Sequence, residues 1–341
     1  MKQKSKYEEA GVSIDRGNEA VNRIKAMVRD MGINEIGKFS GFFPLPGNYN
    51  QPLLVSSADG VGTKLKIAFL TGRHNTVGHC LVNHCVNDIL VYGARPLFFL
   101  DYIGAGKVEP DVISQLVTGI LDGCLENNFV LLGGETAEMP GLYQEGEYDL
   151  AGFIVGMVDR EKVVDGKKIS RGDLLIGLPS SGLHTNGYSL ARHIIFEKLG
   201  LRVDNYVPEL QVSVGEELLK VHRSYLAAVN PLLEKGLLKG MAHITGGGLL
   251  ENLPRILSDD LAVTIEKTWP EPEIFTYLCN HGQIDQQERY RVFNMGIGMV
   301  LLISRNDLSA VEEILQQRSE SYYLIGQVRY REGGEQVIVV N

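Results

Sequence analysis

Pro52-Leu53-Leu54-Val55-Ser56-Ser57-Ala58-Asp59-Gly60-Val61-Gly62-Thr63-Lys64 is the stretch from which the fold is read. A short apolar run, the pattern of a buried strand, feeds a glycine loop, and the loop opens a helix expected from about Lys64 to Thr71. Three other stretches share this grammar. Gly133-Gly134-Glu135-Thr136-Ala137-Glu138-Met139-Pro140-Gly141 follows the apolar run Phe129–Leu132, Ser180-Ser181-Gly182-Leu183-His184-Thr185-Asn186-Gly187 follows Leu174–Leu178, and Thr245-Gly246-Gly247-Gly248 follows Ala242–Ile244. All four are read as strand-to-helix junctions. Backbone amides at helix N-termini bind anions, and glycine lets the backbone approach closely. The first two loops also carry carboxylates, so amides for phosphate and carboxylates for a divalent cation point to chemistry on ATP.

Working outward, a helix is expected from Asp15 to Met31 with a stop at Gly32, and another from Thr76 to Tyr92. Pro96–Tyr102 reads as a strand with Asp101 set in it, Pro110 as the first turn of a helix, and Leu150–Val158 as a strand. The charged stretch from Asp159 to Asp173 carries Gly166 and Gly172 and is read as a domain boundary, giving domains 1–168 and 169–341. Beyond it, helices are expected over 188–199, 216–235, 249–257 and 307–318, and strands over 292–303, 322–330 and 335–340. Strands and helices alternate without strict regularity, so the fold class is mixed α/β (α+β) in two domains.

A chain of 341 residues favours two domains over one core. The 39 glycines exceed the usual share of about 7% but cluster in the loops, which excludes a low-complexity chain. A net charge of −9 without a basic stripe argues against nucleic acid as a partner. Cys80, Cys85, Cys124 and Cys279 lack metal-knuckle spacing and read as reduced thiols, and no apolar run reaches the roughly 18 residues of a membrane span, so a cytoplasmic protein is expected.

The Asp59 loop is neither a Walker A motif nor a dinucleotide fingerprint, because its glycines are too close together. Its content still fits phosphate chemistry, with Asp59 as a Mg²⁺ ligand and Lys64 as a point charge on phosphate; a tight turn with a surface lysine is the alternative. Glu135, at the end of an apolar strand, is a candidate cation ligand or catalytic group, and otherwise a cap. Asp88 lies in an apolar helix and must be paired or bind metal; Asp101 poses the same question. His79, Cys80, His84 and Cys85 do not converge on one ion from a single helix. His184 and Asn186 sit in a hydroxyl-rich loop suited to phosphate or ribose, and Thr245–Gly248 has the composition of an anion nest.

These residues resemble the phosphoribosylformylglycinamidine cyclo-ligase family from about Tyr7 to the C-terminus. Asp59-Gly60-Val61-Gly62-Thr63-Lys64 is similar to the wider ATP-binding superfamily. The run Gly133–Gly141, Cys85-Val86-Asn87-Asp88, Pro96–Tyr102, Ser181–Gly187 and His243–Gly248 resemble the cyclo-ligases specifically. The resemblance implies a homodimer whose N-terminal sheets form a barrel-like interface, and a C-terminal domain closing over the substrate. It implies ATP and Mg²⁺ near Asp59, Asp88 and Glu135, and formylglycinamidine ribonucleotide as substrate. ATP would meet Asp59, Gly60, Gly62, Thr63, Lys64, Gly133, Gly134 and Thr136. The ribonucleotide would meet Ser181, His184, Asn186, Gly187, Thr245, Gly246, Gly247 and Gly248. Lys64, Asp88, Glu135 and His184 are the catalytic candidates. The sequence departs from the family pattern at Cys80, where many relatives carry aspartate, and at Asn83-His84, where they carry Ala-Met.

Overall fold

A computed structural model of the chain describes residues 12–30 and 40–340; the stop expected at Gly32 lies outside them. The N-terminal half runs α1 (Ile14–Asp30), β1 (Pro52–Gly60), a single 3₁₀ turn at Gly62–Lys64, α2 (Leu65–Thr71), α3 (Asn75–Leu90), β2 (Arg95–Ala105), α4 (Pro110–Glu126), β3 (Val130–Glu138) and β4 (Tyr148–Asp159). The strands form one sheet in the order β1-β4-β2-β3, with only β2 and β3 parallel.

Alternation along the strands assigns the two faces. Phe99, Asp101 and Ile103 of β2 are buried beneath the helices, α3 packing on β1 and β4 and α4 on β3. The other face carries Leu54 and Phe153, exposed at 63% and 44%. The sheet is open within the chain, and no closed barrel forms among the described residues. The two helices cross closely because Gly119 has no side chain: a Cβ there would lie 1.8 Å from the Asn75 carbonyl oxygen.

The C-terminal half holds β5 (Leu174–Pro179), α5 (Tyr188–Arg192, continuing as a π turn to Lys198), a ribbon of β6 (Tyr206–Val207) and β7 (Val212–Ser213), α6 (Val214–Leu218) and α7 (Leu226–Glu234). There follow β8 (Leu238–His243), α8 (Gly248–Asn252), β9 (Leu261–Glu266), α9 (Glu273–Gly282), α10 (Gln286–Val292), β10 (Ile297–Ile303), α11 (Leu308–Gln317), β11 (Tyr323–Tyr330) and β12 (Val337–Val340). Six strands form a mixed sheet in the order β12-β9-β11-β5-β10-β8. Every residue of β10 is buried, which explains its unbroken apolar run.

Two sequence expectations change. The Gly133–Glu138 stretch is strand, because its backbone pairs in parallel with Leu100–Ala105 of β2; it is not a strand-to-helix loop. The strand expected over 292–303 starts at Ile297, since α10 occupies the residues up to Val292. The helices expected over 216–235 are α6 and α7, and the segment between them, 219–225, is where the two halves meet.

Candidate active site

One face of α3 builds the junction. Cys80, Asn83, His84, Asn87 and Asp88 recur at helical spacing and point toward the C-terminal half. Asn83 donates to the carbonyl of His222 at 2.8 Å. Asn87 donates to the carbonyl of Arg223 at 2.9 Å and accepts from the amide of Tyr225 at 3.0 Å. The segment 219–225 is thereby clamped to α3 through its backbone.

Lys64 completes the clamp. It is fully buried, and its Nζ donates to the carbonyls of His184 at 2.8 Å and Lys220 at 2.6 Å, with Cys80 Sγ at 3.2 Å. The phosphate contact expected of it is corrected here: its ammonium is committed to holding the two halves together.

At the exposed rim of this junction lie Asp59 and Asp88. His84 Nε2 is 2.8 Å from Asp59 Oδ2 and 3.8 Å from Asp88 Oδ2, and His243 Nδ1 is 2.8 Å from Asp88 Oδ1. Ser57 donates to Asp88 Oδ2 at 3.0 Å and the amide of Gly60 to Asp59 Oδ1 at 2.7 Å. Behind them, Thr185 Oγ1 lies 2.7 Å from His84 Nδ1 and 3.3 Å from His222 Nδ1, and His222 Nε2 is 3.0 Å from His243 Nε2. One proton assignment satisfies the chain from Thr185 to Asp88, though it leaves the 3.3 Å contact of Asn87 Nδ2 with His222 Nε2 without an acceptor. His84 is doubly protonated and donates to Thr185 and Asp59. Thr185 donates to His222, His222 to His243, and His243 to Asp88.

The electrostatics agree with that assignment. Burial lowers the pKa of His84, but the Asp59 hydrogen bond and the charges of Asp88 and Asp59 outweigh it and raise it. Burial raises both aspartates, yet His84 holds Asp59, and His243 with His84 and Ser57 hold Asp88, below the usual carboxylate range. Burial lowers the pKa of His243, against the pull of Asp88, and pushes that of His222 well down.

The glycine loops separate. Loop one reaches loop three through Lys64 and the His184 carbonyl, and the helix that loop three opens through Thr63 Oγ1, 3.1 Å from Ser189 Oγ. Loop three touches loop four: a Cβ on Gly246 would lie 3.4 Å from Asn186 Oδ1. The side-chain amide of Asn252 donates to the carbonyls of Thr245, Gly246 and Gly248, and the Gly246 and Gly247 amides find no protein acceptor among the described residues. Ser181 Oγ donates to the Val221 carbonyl at 2.5 Å.

His184 is buried with a φ of 60°, and its Nε2 accepts from the Ser181 amide at 3.2 Å. Its ring stacks on His222 at 3.9 Å, and burial pushes its pKa well down. It shapes the turn, and its Nδ1 is buried with no hydrogen-bond partner among the described residues. Gly298 makes room for it, since a Cβ there would lie 2.5 Å from His184 Cε1.

Glu135 stands elsewhere. Asp59, Gly152, Asp101 and Gly134 form one row across β1, β4, β2 and β3. Three strand spacings of about 4.8 Å put the ends of that row about 14 Å apart. Glu135 is therefore not brought to Asp59 and Asp88 within the chain, a correction to the expected trio. With Gly133, Gly134 and Thr136 it lines a cavity of about 950 Å³ shared with Phe98, Asp101, Tyr102, Phe153 and α1. Burial, with a smaller push from Glu135, raises the pKa of Asp101 to about 7. Glu138 anchors the start of α1, accepting from the amides of Ser13 and Val108 and from Arg16.

His222 and Asn252 carried no sequence signal of their own. The four residues weighed as a zinc site part ways: His79 pairs with Glu126, Cys80 with Lys64, His84 with Asp59, and Cys85 with the Gly152 carbonyl.

The fold and this junction define an AIR-synthase-related protein: the model of that family's N-terminal domain matches residues 48–158, and the model of its C-terminal domain matches residues 170–339. A phosphoribosylformylglycinamidine cyclo-ligase of Trichlorobacter lovleyi (strain ATCC BAA-1151 / DSM 17278 / SZ) is 50% identical, covering 99% of each chain. The chain belongs to the phosphoribosylformylglycinamidine cyclo-ligase family. Among solved structures it shares the fold of thiamine-monophosphate kinase from Stenotrophomonas maltophilia K279a, with a TM-score of 0.66 at 15% identity over 94% of this chain and 95% of that one. It also shares the fold of hydrogenase maturation protein HypE in complex with ATP, with a TM-score of 0.65 at 18% identity over 89% and 84%.

Proposed function

We propose that this chain catalyses the ATP-dependent closure of formylglycinamidine ribonucleotide to aminoimidazole ribonucleotide, a ligase reaction of purine biosynthesis, in the cytoplasm. The observation that carries the reading is the meeting of loops one, three and four around Asp59 and Asp88 at the junction of the two halves.

The formamide carbonyl is a poor electrophile and does not expel its oxygen. In the proposed reaction that oxygen attacks the γ-phosphorus of ATP and ADP leaves. The substrate's amidine nitrogen then attacks the activated carbon, the C–O bond breaks and phosphate departs. The second attack is intramolecular, so fixing its geometry supplies much of the rate.

Asp59 and Asp88 are two carboxylates held ionised at a solvent-facing rim, a donor set that fits a divalent cation. Such an ion neutralises developing phosphate charge when bound. Around it, the amides of Gly246 and Gly247, beside Asn186, are proposed to hold the ribose phosphate, with Ser181, Gly187, Thr245 and Gly248 shaping that cradle. Gly60, Gly62 and Thr63 are proposed to face the ATP phosphates. The cavity lined by Gly133, Gly134, Glu135 and Thr136 has the size of a small-molecule site, and we assign it to the adenosine moiety. Residues 1–168 thus take ATP and 169–341 close over the ribonucleotide. The exposed apolar face with Leu54 and Phe153 supports a homodimer.

The test is whether ADP release by purified protein requires formylglycinamidine ribonucleotide. Strict dependence with ring formation is expected; equal ADP release without it would refute the reading.

A further inference from the structure

We propose that the cation site of this chain takes nitrogen as well as oxygen ligands. In this arrangement His84 Nε2 and His243 Nδ1 join Asp88 and Asp59, and the site prefers a transition-metal dication such as Zn²⁺ or Fe²⁺ to Mg²⁺, with Mn²⁺ serving as the spectroscopic probe. The inference rests on the reading of Asp59 and Asp88 as cation ligands.

The donor atoms of His84, Asp88 and His243 lie within 4.8 Å of one another, and Asp59 Oδ2 is 2.8 Å from His84 Nε2. Ligands about 2.1 Å from an ion stand about 3 to 3.4 Å apart, so small shifts seat an ion among them. The outer contacts match those of metal-binding histidines, whose second nitrogen is fixed by a neighbour. His84 Nδ1 is held by Thr185 Oγ1 at 2.7 Å and His243 Nε2 by His222 at 3.0 Å. Both rings are thereby aimed at the carboxylates. Both are buried, while Asp59 and Asp88 reach solvent, which gives an ion its entry side.

Mg²⁺ demands oxygen ligands and retains its waters, whereas imidazole suits Zn²⁺, Fe²⁺ and Ni²⁺, with Mn²⁺ the weakest binder of the first-row series. The proton count closes. His84 releases one proton to solvent, His243 and His222 each move their proton to the opposite nitrogen, freeing His243 Nδ1, and the Thr185 hydroxyl turns its proton away to accept from His222 Nδ1. The neighbouring trio His184, His222 and His243 is a poorer site. His184 and His222 are stacked with planes 22° apart, so their in-plane lone pairs run alongside each other and do not converge.

The experiment loads the purified, metal-stripped full chain with Mn²⁺ alone and records pulsed electron paramagnetic resonance. Imidazole ¹⁴N modulation is expected in the wild-type spectrum, which needs no variant to be informative. His84→Gln should weaken Mn²⁺ binding at least about tenfold, and Thr185→Val about tenfold, as lost ligand support does, with Mg²⁺ affinity nearly unchanged. Mn²⁺ that binds, is lost in Asp88→Asn and yet shows no ¹⁴N modulation would overturn the inference and leave the cation site standing. Mn²⁺ binding undisturbed by Asp88→Asn would remove the cation site itself, and the inference with it.

Discussion

The two carboxylate-bearing glycine stretches look alike in the sequence and do different things in the fold. Asp59 ends the edge strand β1 beside α3, where His84, His243 and Asp88 gather around it from both halves of the chain. Glu135 lies in the opposite edge strand, β3, against a cavity and a buried acid, Asp101. The same ingredients, glycine backbone and carboxylate, thus yield a charged rim at one edge and a largely apolar chamber at the other. What separates them is strand order, which places β4 and β2 between the two motifs.

The largest expected effect breaks the comparison at the rim. Asp88→Asn removes a carboxylate that two histidines hold ionised, and cyclisation rate in steady-state assays should fall about 10²–10³-fold, the scale of losing one preorganised electrostatic group. Next is Lys64→Met at the clamp between the halves. Two buried carbonyls lose their donor, which should lower unfolding free energy by about 2–4 kcal/mol in denaturant titration. Unchanged stability with only a raised KM for ATP would return Lys64 to the phosphates.

In the chamber, Asp101 has a folded pKa of about 7, against about 3.9 in an unfolded chain. Between those values the folded state holds a proton that the unfolded state has lost, so this group makes stability fall as pH rises from about 4 to about 7. Asp101→Asn should flatten that slope in melts across this range, a difference of order 2–4 kcal/mol above pH 7. The smallest effect is Gly133→Leu. A Cβ there meets only Leu100 Cδ2, at 3.6 Å, so the side chain fills the chamber, and KM for ATP should rise about tenfold, the worth of a modest steric loss. Mn²⁺ affinity should stay as it was.

Much of this was legible in the sequence. The apolar runs of β1, β5 and β10 and the spacing of α3 place the scaffold, and Asp59, Asp88 and the glycine loops mark the junction. Three features were not. Glu135 was grouped with Asp59 because local spacing says nothing of strand order. Lys64 looked like a phosphate ligand because its partners are the carbonyls of residues 184 and 220, far along the chain. His222 sits alone between two short helices, and only folding brings it to His243 and Thr185.

The separation of the two edges is tested most directly by Mn²⁺ affinity in Glu135→Gln set beside Asp88→Asn. If the edges do separate work, Glu135→Gln binds Mn²⁺ as the wild type does, while Asp88→Asn loses at least about tenfold. An equal loss in both variants would contradict the separation and place Glu135 at the cation after all.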